Sequence, residues 1–380
     1  MYNKNFKYLH IMCMNSRYNL NIIKMVNENT LEFKEHEHLF VLTDEQYKDE
    51  VSCYNNVIFD EEVLRFLIKG NSEYLLRAKY IFMHSLPLSY IQLLFLKERI
   101  AKKIIWCIWG HDLYRDTRLK DKKFNAYRQV KQLISNCLFH IIKVNKIKKF
   151  HGIGIGFKYD VLEARKLYGY KIKVIMTPYG FGYSKREVDT AIEEYNNISA
   201  DKKQHLKIML GHSAFPFLRH KEILNKLLLY KNEDIKIVIP LSYGIKEYGE
   251  KVEKLAKELF QDKVEIIKDY MLPKDYVKFL LSVDIAIFDF EHQSAINNIL
   301  LLLYLNKKLY LSNKGIIRWG LTAEGIKTYN TQEIGKLPLE SLRGYPGSSE
   351  HGKEFSSFFL DEKNISDIWK NTLEELDGIL

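Results

Sequence analysis

Short apolar runs alternate with amphipathic helical stretches along most of this chain, in two separate series. The first series lies at residues 8–14, 39–43, 57–59, 80–83, 103–109, 139–144 and 173–176, and the second at 206–210, 235–240, 263–267, 283–288 and 308–311. Apolar runs without polar alternation, separated by helices, are typical of parallel sheets that are covered on both faces. The pattern predicts an α/β fold with two Rossmann-like, doubly wound domains facing across a cleft.

The domain boundaries follow from the break between the two series. The chain has 380 residues, which is long enough for two ordinary domains. Proline and glycine punctuate residues 177–183, and a polar segment follows them. We predict a first domain over 1–185, a linker with a short helix over 186–204, a second domain over 205–350, and a tail over 351–380 that ends in one amphipathic helix. Ligands of such folds bind beyond the carboxyl ends of the strands, yet the fold alone does not separate dehydrogenases from glycosyltransferases.

The charge balance indicates an anionic partner. Lys and Arg number 58 against 48 Asp and Glu, so the formal net charge is +10. Such a balance fits a phosphorylated substrate, an anionic membrane surface or nucleic acid, but no recognisable nucleic-acid module accompanies it, so we expect no nucleic-acid partner. The start of the chain lacks the apolar core of a signal peptide, and no apolar stretch reaches the roughly 18 residues of a membrane span. We therefore expect a cytoplasmic protein that rests on a membrane without crossing it.

The cysteines and histidines do not predict a metal site. Four cysteines stand far apart without a CxxC pair, which fits a reducing compartment. Twelve histidines show neither an HExxH pair nor a cluster with ligand spacing. We expect no metal ion and no other cofactor.

Polar residues directly follow two strands of the second series. Gly211-His212-Ser213 follows the run 206–210 and precedes a helix, where glycine lets a phosphate approach the backbone and free N–H groups attract an anion. A strand-to-helix turn with a capping serine is the alternative. The segment 288–298 likewise follows a strand and precedes an apolar helix. It fits either a second ligand-binding loop or an N-capped buried helix.

A third polar segment ends a strand of the first series. Trp109–Arg115 gathers the side chains of His111, Asp112 and Arg115, and His84 ends the preceding strand. Histidine and aspartate are the usual acids and bases of catalysis, although a polar loop with an Asp-capped helix is the alternative. The glycines at 152–156 fit a flexible loop, and the lysines at 143–149 and 120–123 fit either solvated faces or contacts with lipid headgroups.

Taken in order, these motifs resemble the TDP-N-acetylfucosamine:lipid II N-acetylfucosaminyltransferases, glycosyltransferase family 56. The resemblance rests on Trp109–Tyr114 (family W-G-x-D-L-Y), on 211–213 (family G-N-S), on 283–284 (family C-D) and on 288–297 (family F-x-F-x-R-Q-Q-G-I-G). Order and spacing agree over roughly residues 80–330. Within the last motif the chain departs from the family pattern at four positions that should face the donor, namely His292, Ser294, Ala295 and Asn297. In the second motif, His212 stands where the family has Asn.

The resemblance implies a two-domain GT-B fold and a nucleotide-sugar donor, a dTDP-activated 4-amino-4,6-dideoxyhexose such as N-acetylfucosamine. It implies a polyprenyl-diphosphate-linked glycan acceptor in bacterial surface polysaccharide synthesis, met at the cytoplasmic face of the inner membrane by a peripheral enzyme. The second domain then binds the donor, and the first binds the acceptor. The donor-binding residues are expected to be Gly211, His212, Ser213, Arg219, Gln293, Ser294 and Asn297.

In the first domain, Asp112 is the expected catalytic base, with His111 and His84 as competing candidates. Acceptor or membrane contact is expected from Tyr114, Arg115, Lys102 and Lys103, together with the apolar stretch 86–96. Two other functions stay open on the residues alone. One is a pyruvyl or polyol-phosphate transferase of envelope polymer synthesis on the same fold, and the other is a non-catalytic nucleotide- or sugar-binding module.

Overall fold

The computed structural model describes residues 5–13, 17–29, 32–114, 141–180, 183–198, 205–344, 347 and 350–379. The chain divides into two compact units. Unit 1 comprises Met1–Gly182 together with Lys363–Leu380, and unit 2 comprises Tyr183–Glu362.

Unit 1 is built on a seven-stranded sheet in which every pairing is parallel. Its strands are β1 (Tyr8–Met12), β2 (His38–Leu42), β3 (Val57–Phe59), β4 (Tyr80–His84), β5 (Ile104–Cys107), β6 (Gly152–Ile155) and β7 (Val174–Met176), in the order β3-β2-β1-β4-β5-β6-β7. The described helices are α1 (Arg17–Glu28), α2 (Lys48–Val51), α3 (Val63–Lys69), α4 (Glu73–Arg77), α5 (Tyr90–Phe95), α6 (Glu98–Ala101), α7 (His111–Tyr114), α8 (141–147) and α9 (Asp160–Tyr168).

Unit 2 repeats this plan with a six-stranded parallel sheet. Its strands are β8 (Leu206–Leu210), β9 (Ile235–Pro240), β10 (Val264–Ile267), β11 (Ile285–Phe288), β12 (Lys308–Leu311) and β13 (Tyr329–Asn330), in the order β10-β9-β8-β11-β12-β13. The described helices are α10 (Lys185–Ile198), α11 (His220–Leu227), α12 (Lys246–Phe260), α13 (Pro273–Ser282), α14 (Ile296–Tyr304), α15 (Ile316–Ala323), α16 (Leu339–Gly344) and α17 (Glu350–Leu360). The last helix, α18 (Glu362–Asp377), belongs to unit 1 from its second residue onward.

The two faces of the unit 1 sheet are covered in different ways. Leu9 and Ile11 of β1 point into an aliphatic core that continues through β4 and β5. His10, between them, points to the opposite face, because successive side chains of a strand alternate. There it meets Trp369 of α18, whose ring centroid lies 6.1 Å away. Burial on both faces explains why these strands are nearly continuous apolar runs.

Each sheet has one topological switch point. In unit 1 it lies between β1 and β4, and in unit 2 between β8 and β11. At a switch point the connections leave in opposite directions and open a crevice at the carboxyl edge of the sheet, where ligands of such folds bind. The predicted motifs at 211–213 and 288–298 flank the switch point of unit 2. The α/β fold class with parallel sheets is therefore confirmed.

Two predicted boundaries differ from the structure. The expected linker at 186–204 is a long helix, α10, over most of its length, and residues 199–204 lie outside the described residues. This helix belongs to unit 2, because Val188 and Ala191 are buried and Glu194 pairs with Lys274 of α13 at 2.5 Å. The expected tail at 351–380 is divided, since α17 stays with unit 2 and α18 returns to unit 1.

Two local predictions are wrong. The expected strand at 139–144 is the helix α8 wherever it is described. The glycine-rich segment at 152–156, expected to be a flexible loop, contains the buried strand β6. Close packing explains the glycine at 154, because a Cβ there would lie 2.6 Å from Thr177 Oγ1. The lysines expected at the surface include Lys143, which is buried and donates to the carbonyl of Asp112 at 3.0 Å, while 120–123 lie outside the described residues.

Among the described helices, none combines the length and the apolar character that crossing a bilayer requires.

Candidate functional site

The turn after β8 is shaped by Gly211. This residue has φ +67°, in the left-handed region that glycine adopts without strain, and its N–H donates to Ile287 O of β11 at 2.9 Å. An added Cβ would lie 2.6 Å from His220 Nε2. Glycine is therefore required twice here, once by the backbone angle and once by the histidine packed against it.

Three buried polar atoms near this turn have no hydrogen-bond partner within the described part of the chain. They are His212 Nδ1, Ser213 Oγ and His220 Nε2. Leaving such groups unpaired is costly, so each such atom in a native structure needs an explanation. Burial lowers the pKa of His212 to about 3, with a smaller contribution from the charge of His220, and burial lowers the pKa of His220 to about 4. Both rings are therefore neutral near pH 7, and each has one N–H to donate.

Arg219 connects the loop after β8 to the loop after β11. Its guanidinium donates to Glu291 at 2.6 Å and lies 3.9 Å from Asp289. Asp289 in turn accepts from the hydroxyl of Thr331 at 2.7 Å. The predicted residue Arg219 is thus at the site, but two carboxylates partly balance its charge. Asp289, Glu291 and Thr331 were not among the predicted site residues, although the first two lie within the segment 288–298 that the sequence singled out.

The remaining donor-side residues lie at the start of α14. Gln293, Ser294 and Asn297 are half-buried. Ser294 Oγ lies 3.4 Å from His212 Nε2, so the two predicted motifs meet across the switch point. The structure therefore brings the two predicted loops together, whereas the assignment of their side chains to a donor site stays a prediction.

Asp112 has a structural role in unit 1. Its Oδ2 accepts from Leu86 N–H at 3.1 Å and from Trp106 Nε1 at 2.7 Å, and its Oδ1 accepts from Trp109 N–H at 2.9 Å and Leu113 N–H at 3.0 Å. A carboxylate offers about four acceptor positions, and all four are occupied here. Asp112 is also buried. The geometry therefore gives this carboxylate the task of fixing the loops after β4 and β5, rather than that of the expected base.

His84 is fully buried and is held at both ring nitrogens. Its Nε2 lies 3.1 Å from His10 Nδ1, and its Nδ1 lies 2.6 Å from the hydroxyl of Tyr179. Burial lowers its pKa to about 3. It therefore has no free nitrogen with which to meet an acceptor directly. Tyr179, which follows β7 and is half-buried at the carboxyl edge, was not predicted, and its only signal in the sequence is its place in the segment 177–183.

The other first-domain predictions have mixed outcomes. Arg115 lies outside the described residues, as do the side chains of His111 and Tyr114. Lys102 is exposed and pairs with Glu98 at 3.1 Å. Lys103 donates to the carbonyl of Leu76 at 2.7 Å and precedes β5, so it lies at the amino edge of the sheet, away from the carboxyl edge where a site is expected.

Within the described ranges, no three His, Cys, Asp or Glu side chains are grouped so as to hold a metal ion.

Comparison with known families bears on the functional alternatives that the fold leaves open. Residues 176–346 match the family described as 4-alpha-L-fucosyltransferase, glycosyl transferase group 56. The predicted resemblance to glycosyltransferase family 56 is therefore confirmed over this range. The matched range contains both donor-side motifs of unit 2.

An unusual backbone angle lies at the start of α14. Ala295 stands where the family has glycine, and it has φ +53° at the cap of the helix. That conformation costs an alanine roughly 1–2 kcal/mol, whereas glycine adopts it readily. In this chain an alanine thus holds a left-handed conformation at the position where the family pattern has glycine.

Solved structures with the same fold cover almost the whole chain. HepE from Anabaena, crystallised with UDP and glucose, is 11% identical with a TM-score of 0.65, covering 97% of this chain and 100% of its own. Sucrose-phosphate synthase from Thermosynechococcus elongatus is 10% identical with a TM-score of 0.67, covering 98% and 100%. WaaG, a glycosyltransferase of lipopolysaccharide biosynthesis, is 9% identical with a TM-score of 0.59, covering 95% and 99%. The fold is that of GT-B glycosyltransferases with two Rossmann-like domains, and together with the family 56 match it supports glycosyltransferase activity.

Proposed function

We propose that this chain transfers a sugar from a nucleotide-activated donor that binds at the carboxyl edge of the unit 2 sheet. The observation that carries the proposal is the turn after β8, where His212 Nδ1 and Ser213 Oγ are buried without partners beside Gly211. A diphosphate supplies the oxygen acceptors that such donors need, and it is favoured at the start of a helix such as α11. Among proteins of this fold, HepE was crystallised with UDP and glucose.

The donor that we propose is a dTDP-activated 4-amino-4,6-dideoxyhexose such as N-acetylfucosamine. The support is the family match, whose description names a fucosyltransferase. The acceptor that we propose is a polyprenyl-diphosphate-linked saccharide of bacterial surface polysaccharide synthesis. Gln293, Ser294 and Asn297 lie across the switch point from Ser213, where they would contact the sugar or the second phosphate.

The leaving diphosphate would be stabilised without a metal ion. The first N–H groups of α11, the hydroxyl of Ser213 and a neutral ring N–H of His212 would all donate to it. Arg219 would add positive charge, reduced by Glu291 and Asp289. Because most of these donors are uncharged, we expect nucleotide binding that depends only weakly on salt concentration.

Thermal stabilisation by nucleotides tests the donor site. A ligand that binds only the folded protein raises its melting temperature with the logarithm of its excess over Kd. We expect dTDP to stabilise the protein more than UDP, GDP, CDP or CMP do, and Ser213→Ala to reduce that shift. The matched control is Ser341→Ala, a serine of α16 in the same unit. Stabilisation by another nucleotide would refute the dTDP assignment, and no response to any would refute the donor site.

Access to a lipid-linked acceptor requires a surface that meets the membrane, and α5 of unit 1 has suitable chemistry. Ile91, Leu94 and Phe95 lie at helical spacing and are 51%, 55% and 66% exposed. The carbonyl of Leu94 accepts from Lys146 at 3.3 Å, and Lys97 next to the helix is exposed. Apolar side chains combined with lysines are the two signals that a peripheral protein needs on an anionic bilayer. We propose that α5 is the membrane-contacting part of the predicted stretch 86–96, whose other leucines face inward.

Vesicle flotation tests this surface. We expect the protein to float with vesicles that contain anionic phosphatidylglycerol at low salt and to be released at high salt. Leu94→Ser should weaken binding at least several-fold. The matched control is Leu229→Ser, since Leu229 of unit 2 is equally exposed, at 59%. Equal flotation of both variants would show that α5 is not the contact.

A further inference from the structure

Three buried histidines of unit 1 are linked ring to ring across neighbouring strands. His38 opens β2, His10 lies in the middle of β1, and His84 ends β4. His38 Nδ1 lies 3.0 Å from His10 Nε2, and His10 Nδ1 lies 3.1 Å from His84 Nε2. In register His38 pairs with Tyr8 and His84 with Met12, so all three rings point to one face of the sheet. The rings form a diagonal line from the amino edge to the carboxyl edge.

The two ends of the histidine line have different neighbours. At the carboxyl edge His84 Nδ1 meets the hydroxyl of half-buried Tyr179 at 2.6 Å. At the amino edge His38 is 3% exposed, whereas His10 and His84 are 0% exposed. The rings of Phe40, Phe82 and Trp369 lie 4.6 Å, 4.8 Å and 6.1 Å from His10 and enclose the middle of the line. The hydrogen-bonded path therefore runs along one face of the sheet, across three neighbouring strands, and is enclosed by apolar rings.

The chemistry of neutral imidazole couples the three rings. Each neutral ring has one N–H and one bare nitrogen, so a ring that accepts on one side must donate on the other. His10 and His84 are bonded on both sides, which forces all links to point the same way. Burial disfavours a charged imidazolium anywhere along the line. A proton that arrives at one end is therefore accommodated only if another leaves at the far end.

We propose that His84, His10 and His38 form a proton relay behind Tyr179, and that Tyr179 receives the proton of the acceptor hydroxyl. This inference rests on the proposed sugar transfer. As the acceptor oxygen bonds to the anomeric carbon, the bond from that carbon to the diphosphate breaks and the diphosphate leaves with the electron pair. The acceptor proton moves to Tyr179 Oη, the phenol proton moves to His84 Nδ1, and one proton passes along each link until His38 releases one to water. Every ring is neutral before and after the transfer.

The other candidate bases, Asp112 and His84, lack a free atom that could accept a proton from a substrate. All four acceptor positions of Asp112 are occupied, and His84 has no free nitrogen for a substrate. Tyr179 is the one residue of this line that is only partly buried, and it follows the carboxyl end of β7. Under this assignment Tyr179 is the catalytic residue, and the three histidines act through it.

Transfer kinetics with a donor and an acceptor test the relay. His10→Gln keeps a hydrogen-bond donor and acceptor in the line but cannot pass a proton. We expect it and Tyr179→Phe each to lower kcat by about 100-fold, in the usual range for acid–base catalysis, with an unchanged thermal shift by nucleotide. The double variant should be no slower than Tyr179→Phe alone. The wild-type rate should fall in D2O, and the residual rate of His10→Gln should not.

The control is His151→Gln, the same substitution at a half-buried histidine of unit 1 outside the line. A folded His10→Gln with wild-type kcat would overturn the relay, and so would additive effects in the double variant. If His10→Gln does not fold, His38→Gln and Tyr179→Phe give the same comparison. A wild-type protein that binds nucleotide but transfers no sugar would instead refute the proposed function, so the two failures are distinguishable.

Discussion

The buried histidines of unit 1 make its stability depend on pH in a way that can be calculated. Burial lowers the pKa of His38 and His84 from 6.5 to about 3, and lowers that of His10 well below 6.5, with the charges of its two neighbours contributing. Below pH 6.5 the unfolded chain takes up protons at these rings while the folded chain does not. Stability is therefore present in full above pH 6.5 and is lost as the pH falls toward 3.

The loss of unfolding free energy can be calculated because each histidine takes up one proton when the chain unfolds. Each pH unit below 6.5 removes about 1.4 kcal/mol of unfolding free energy per histidine. Lowering the pH from about 7.5 to about 5 therefore costs about 4 kcal/mol for His38 and His84 together, and His10 adds to it with the same sign. Asp377, whose pKa is lowered to about 2 by bonds from Lys79, Tyr8 and Lys7 despite its burial, loses its contribution only at lower pH.

Tryptophan fluorescence during urea unfolding measures this loss in unit 1. Three of the four tryptophans, Trp106, Trp109 and Trp369, belong to unit 1, so Trp319→Phe leaves a signal from that unit alone. In this background we expect His38→Asn to lower the slope of unfolding free energy against pH by about one proton. The control is His36→Asn, two residues away and exposed. An unfolding free energy that stays constant between pH 7.5 and 5, or equal slopes for the two variants, would refute the reasoning.

Three further substitutions test the local geometry. Gly211→Ala should destabilise unit 2 by more than about 1 kcal/mol, because it strains the backbone and meets His220, and it should remove the thermal shift by nucleotide; a stable variant that still binds would contradict this. Ala295→Gly should raise the unfolding free energy by up to about 1 kcal/mol in urea titrations, since it relieves a left-handed angle, and a loss of stability would count against that strain. Asp112→Asn should cost about 3 kcal/mol or more in the same assay, because an amide cannot accept all four N–H groups; unchanged stability with lost turnover would restore Asp112 as a base.

Much of the fold could be predicted because buried parallel strands leave a strong signal. The runs at 57–59, 206–210, 235–240 and 308–311 coincide with strands of the structure. The signal failed at β6, where Gly152 and Gly154 resemble a loop in composition, although they are needed for close contact with β7. It failed again at α8, where an apolar run is compatible with either a strand or a helix and tertiary packing decides.

The sequence predicted where the candidate site lies, at the carboxyl ends of the strands, but not which side chains contact one another there. The residues at 211–213 and 293–297 came together because the carboxyl ends of parallel strands share one edge. A polar residue at a strand end does not reveal its partners, however. Asp112 looks the same in sequence whether it accepts a substrate proton or four N–H groups. The histidine line could not be predicted from the sequence, because its linked members lie 28 and 74 residues apart and meet only through the register of the strands.

The return of α18 to unit 1 has a consequence for how the chain is made. Residues 363–380 leave the ribosome after all of unit 2, so unit 1 acquires Trp369 and the cover over its histidines last. During synthesis unit 2 can complete its core first, while unit 1 exposes an apolar face of its sheet. A fragment that stops at residue 182 should therefore aggregate, whereas residues 183–362 form an uninterrupted segment with a core of its own.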